Sequence, residues 1–145
     1  MEARIADLLI QRVRVLEPQS LLLLRAIAAL GSLATEARSM ECAGLVEVDS
    51  LLALQDLADR GMILQKEHVL QCSHDLLADV AFGQAPIPVR TAISRRAAAL
   101  LEREGMSAGQ AHLLWHSAEH WKTVGDHAAS ARVFLGCGGA AFADG

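Results

Sequence analysis

His112, His116 and His120 stand four residues apart. On a helix that spacing brings neighbouring members within about 5–6 Å, close enough to share a metal ion. The outer two lie about 12 Å apart at 1.5 Å per residue, so all three cannot hold one ion. Zinc sites take three or four protein ligands, and no Cys or carboxylate motif here completes such a set. The stripe also lies opposite an apolar one, Ala111, Leu114, Ala118 and Trp121, and so reads as a polar outer face. A small metal-dependent enzyme built on the three histidines is the chemical alternative.

Ser73-His74-Asp75 carries the residue types of a hydrolytic triad. Consecutive residues at a helix start point in different directions and cannot relay a proton, so Ser73 reads as a helix cap. Gly136-Cys137-Gly138-Gly139 is glycine-rich but follows a helix, whereas phosphate-cradling loops follow a strand. The sequence holds no Walker A pattern, nucleophile elbow, H-E-x-x-H or kinase signature. No catalytic, cofactor-binding or metal residue is therefore assigned, and no enzymatic activity is expected. Cys42, Cys72 and Cys137 are odd in number and widely spaced, which suits a reducing cytoplasm better than a disulfide framework.

The elements that carry these residues follow from composition and period. With 145 residues, 52% hydrophobic, 3% aromatic and no Tyr, the chain favours Ala- and Leu-rich helices over a β-sandwich or disorder. A first helix buries Ile5, Leu8, Leu9, Val13 and Leu16. A second runs from Pro18 to Gly31, a third from Thr35 to Cys42. A fourth, Glu47 to Arg60, turns Leu51, Leu54 and Ala58 inward. A hairpin follows, Met62 to Gln65 and His68 to Cys72, turning at Lys66-Glu67. A fifth helix covers Ser73 to Gly83. After the stiff Ala85-Pro86-Ile87-Pro88 break a sixth runs to Glu104, ended by Gly105. Ser107 with Gln110 fits a capping box for a seventh, to Val124, and Asp126 caps an eighth.

The expected fold is mostly α. Residues 1–72 form a winged-helix-like unit, helices followed by a β-hairpin. Residues 73–145 form a helical linker and the start of a TPR-like α-solenoid of antiparallel helix pairs.

Charge bears on the partner. The formal net charge is −4. Residues 36–60, which include the helix that would read DNA, hold six acids against two bases. Phosphate contacts supply most nucleic-acid affinity and need Lys and Arg, so the winged unit is expected to meet protein. Arg90, Arg95, Arg96 and Arg103 form the one basic cluster, opposite Ile93, Ala97 and Leu100. It reads as a solvated or interdomain face, with binding of an acidic partner the lesser alternative. The greasy run Leu21 to Leu30 contains Arg25 and is about half the ~20 residues a membrane span needs.

Several stretches resemble one family in order and spacing. Gln71-Cys72-Ser73-His74-Asp75-Leu76-Leu77-Ala78-Asp79-Val80-Ala81-Phe82 resembles F-x-H-D-L-x-R-E-A-x-Y, and Arg90 to Glu102 is similar to R-R-x-L-H-R-R-x-A-x-x-L-E. His116 and Gly125 to Arg132 resemble H-x-x-x-A-G-D-W-x-x-A-A-R. Leu16 to Gly31 and Leu51 to Leu64 resemble L-x-P-x-x-x-x-L-L-x-x-A-A-x-L-G and L-x-x-L-x-x-x-G-L-L. These are patterns of STAND-class signal-transduction NTPases, including large LuxR-type ATP-binding regulators, where a winged-helix unit passes into helical repeats. Cys72, Phe82, Ser94 and His127 depart from the family's Phe, Tyr, His and Trp. The resemblance implies a segment of a longer protein that relays state between an NTPase module and helical repeats. A stand-alone winged-helix DNA-binding module is the alternative.

Overall fold

The computed structural model describes the backbone of residues 2–144 and the side chains of residues 4–138. Helix α2 (Pro18–Leu30) starts on a proline, whose missing N–H is harmless in a first helical turn. It is almost wholly apolar, and Leu23, Leu24, Ala26, Ile27 and Leu30 are buried. Helices α3 (Glu36–Ala43), α4 (Glu47–Asp59) and α5 (Asp75–Gly83) all pack against it, and α1 (Glu2–Arg14) packs on α5.

Strands β1 (Ile63–Lys66) and β2 (Val69–Cys72) pair antiparallel, Ile63 opposite Cys72 and Lys66 opposite Val69. Val69 also bridges Thr35, and the Leu70 N–H donates to the Ala34 carbonyl at 2.7 Å. Thr35 serves twice, since its Oγ1 accepts from the Arg38 N–H at 3.2 Å and caps α3. Helix, short bridge, helix, helix and hairpin is the winged-helix arrangement.

The structure corrects several local expectations. The hairpin turns at Glu67-His68, one residue later than read from sequence, with Glu67 at φ +59°. On α1, Leu9 and Val13 are buried, but Ile5 and Leu8 are exposed. On α4 the inward residues are Ser50, Ala53 and Leu57, while Leu51 and Ala58 face out. Apolar residues occur nearly all round α4, so periodicity alone does not choose the face. Ser20 Oγ donates to Asp56 Oδ2 at 2.7 Å and fixes α4 on α2.

The chain divides into two compact units at Arg90 and Thr91. Helix α5, read from sequence as linker, therefore packs within the first unit, on α1 and α2. The rest of α6 (Ile87–Ala108), with α7 (Ala111–Thr123) and α8 (His127–Asp144), makes up the second. Helices α7 and α8 run antiparallel. Ser130 Oγ donates to the Ala118 carbonyl at 3.0 Å, and Cys137 Sγ to the Ala111 carbonyl at 3.2 Å. Leu114, Ala118 and Val133 are the core of the pair, with Trp121, Phe134 and Cys137 against them. Ser117 Oγ donates to the Ala98 carbonyl at 2.7 Å and joins α7 to α6.

Gly105 does not end α6, which continues to Ala108 and stops at Gly109, φ +62°. A Cβ at Gly105 would lie 2.8 Å from Leu114 Cδ2, so the glycine makes room for Leu114 of α7. Ser107 consequently lies inside α6, and Gln110 takes the N-cap position of α7 without a side-chain bond. Asp126 does cap α8, its Oδ1 accepting from the Ala129 N–H at 3.0 Å. Gly136-Cys137-Gly138-Gly139 lies within α8 rather than after it. Among the described residues no helix is long and apolar enough to cross a membrane.

Two glycine substitutions should move stability in opposite directions. Gly105→Ala forces Leu114 to shift and should lower the urea-unfolding free energy by about 1–3 kcal/mol. Gly138→Ala meets open space in a helix and should raise it by about 0.5–1 kcal/mol. Equal effects would remove the close approach as the reason for Gly105.

Candidate functional site

Helix α4 occupies the position that reads DNA in winged-helix proteins. Its inward residues are small or central, Ser50, Ala53 and Leu57. This turns Val48, Leu51 and Leu52 to solvent, at 66%, 45% and 65% exposure. They fall at i, i+3 and i+4, one continuous ridge along the helix. Glu47 and Asp59 are exposed on the same helix, and Asp49 and Asp56 are half-buried.

Beside the ridge, where α2 begins, lies a small cleft of about 150 Å³ lined by Glu17, Ser20, Asp49, Leu52 and Asp56. Ser20 and then Arg60, whose Nε is 2.8 Å from Asp56 Oδ1, hold the Asp56 carboxyl below its ordinary pKa. Arg12 of α1 in turn donates to the Arg60 carbonyl at 2.7 Å. Among the described residues Glu17 and Asp49 form no ion pair, so the cleft carries two uncompensated carboxylates over an apolar wall.

A second, open cleft of about 620 Å³ lies between the hairpin, the end of α2 and α5, with Lys66, Glu67, Cys72 and Asp75 on its walls. Burial, and secondarily Asp75, push the Cys72 thiol up to about 11. It stays protonated at neutral pH, where a nucleophilic cysteine must ionise.

The residues singled out in the sequence are dispersed. His74, not Ser73, caps α5: its Nδ1 accepts from the Leu76 N–H at 3.0 Å. That bond turns the imidazole to the backbone of its own helix. His112 is exposed, and His116 and His120 are half-buried rather than wholly outward. Burial, then the neighbouring His116, lowers the His120 pKa against an opposing pull from Glu119. Among the described residues no group of three His, Cys, Asp or Glu could hold a metal ion. Arg95, Arg96 and Arg103 are exposed on α6, and Arg90 is half-buried. The three cysteines are free thiols.

Sequence reasoning passed over Arg25 as a mere interruption of an apolar run. Its Nε donates to the Ala81 carbonyl at 3.0 Å, near the C-terminus of α5, and burial lowers its pKa. A lone cation in an apolar helix was the available signal. The α4 ridge is not legible from period, which turns Leu51 inward. Searches with protein-family models, against curated proteins and against solved structures give no match to this chain.

The Asp56 pKa sets a pH test. Because folding lowers that pKa, the carboxylate stabilises the fold above the ordinary carboxylate range, and the contribution is lost as pH falls through the folded value. The difference in urea-unfolding free energy between the native chain and Asp56→Asn should be constant above about pH 5 and shrink below about pH 4. A gap independent of pH would mean that the Ser20 and Arg60 contacts do not favour the ionised form.

Proposed function

We propose that this chain is a non-catalytic protein-interaction segment of a STAND-type ATP-dependent signalling or transcriptional regulator, working in the cytoplasm. It relays state between an NTPase module and helical repeats. The observation that carries the reading is the surface of α4. A winged-helix arrangement presents, in place of the Arg and Lys a phosphate backbone requires, an apolar ridge flanked by carboxylates. Exposed Val and Leu side chains in a continuous stripe are features of a protein-docking face.

The helix pair α7 and α8 supports the same reading, because stacked antiparallel pairs supply the extended surfaces on which solenoids receive partners. In mechanism, the winged unit's contact with the NTPase module has two arrangements. Nucleotide biases one and a signal at the repeats biases the other, so each site shifts the population seen by its opposite.

Titration of labelled duplex DNA at about 50 mM salt should give no salt-dependent binding by the 145-residue chain. Binding that weakens steeply with salt would establish the DNA-module alternative instead. Calorimetry with ATP should register no heat of binding, and tight ATP binding would overturn the non-catalytic assignment.

A further inference from the structure

We propose that the α4 ridge and the cleft beside it bind an amphipathic helix from a partner protein, with a Lys or Arg of that helix entering the cleft. The inference rests on the docking function proposed above and names the chemistry of the partner. The ridge supplies anchors at Val48, Leu51 and Leu52, a spacing that an apolar helical stripe matches turn for turn. Leu52 belongs both to the ridge and to the cleft wall, so the apolar and charged parts of the surface are contiguous.

The sign of the partner's charge follows from the carboxylates. Asp56 is satisfied on both oxygens, by Ser20 at 2.7 Å and by Arg60 at 2.8 Å. Among the described residues Glu17 and Asp49 have no such cation, and the Arg60 guanidinium is held by Asp56. A basic side chain in the cleft compensates two carboxylates as the surface dries. An acidic or phosphorylated one brings like charges together and is repelled. At about 150 Å³ the cleft has room for a single side-chain head and none for a nucleotide.

Two fluorescein-labelled model helices test this by anisotropy with the full chain, one of Leu and Lys and the other the same sequence with Glu for Lys. The Leu/Lys helix should bind at least about tenfold more tightly than the Leu/Glu helix. Glu17→Gln with Asp49→Asn should weaken the Leu/Lys helix about fivefold or more, with circular dichroism unchanged. Glu36→Gln with Asp79→Asn alters net charge equally, away from the cleft, and should leave binding within about twofold. Similar affinity for both helices, or no change in the cleft variant, would overturn the proposal. If Leu51→Ser with Leu52→Ser then weakens both helices alike, the docking function stands and only the basic partner falls. Self-association in sedimentation that Leu52→Glu abolishes would give the face to a second copy and also overturn it.

Discussion

Helix α2 must be covered. Its residues Leu23, Leu24, Ala26, Ile27 and Leu30 are all buried, and burying each large aliphatic side chain is worth roughly 1.5–3 kcal/mol. No single neighbour can cover a helix that is apolar on so many sides, so α3, α4, α5 and the hairpin gather round it. Arg25 cannot be left dry without a partner, and the carbonyl of Ala81 supplies one. A guanidinium at a helix C-terminus also meets the negative end of the helix dipole. One constraint thus fixes both where α5 sits and which end of it points to α2.

Covering α2 has a consequence for α4. The residues α4 spends inward are chiefly small, Ser50 and Ala53, with Leu57 as the larger contact. Its branched side chains are left over, and Val48, Leu51 and Leu52 go to water. The flanking carboxylates make that ridge unsuitable for a polyanion.

The second unit buries Ile93, Leu101, Leu113, Leu114 and Val133 and adds close approaches between its helices. Gly105 admits Leu114, and the hydroxyls of Ser117 and Ser130 reach carbonyls of neighbouring helices. Glu102 ties three helices at one point, accepting from Trp121 Nε1 at 3.1 Å and from Arg132 Nη2 at 2.7 Å. Arg132 is largely exposed, so that ion pair adds little stability, and the Trp121 bond fixes the register of α7 on α6.

Helix positions, the hairpin and the acidic character of residues 36–60 were legible in the sequence, because each depends on neighbours within a few positions. Thr35 and Asp126 cap their helices as their residue types require, and Gly44 and Gly125 stop theirs. The tertiary structure alone decided which face of α4 is buried, that Gly105 is a contact rather than a stop, that His74 displaces Ser73 as cap, and that α5 belongs with the first unit. The face of α4, the purpose of Gly105 and the place of α5 each depend on what another helix needs to cover, which period and residue type do not carry. The His74 cap is local, a bond to the Leu76 N–H, and there the imidazole took the role expected of the Ser73 hydroxyl.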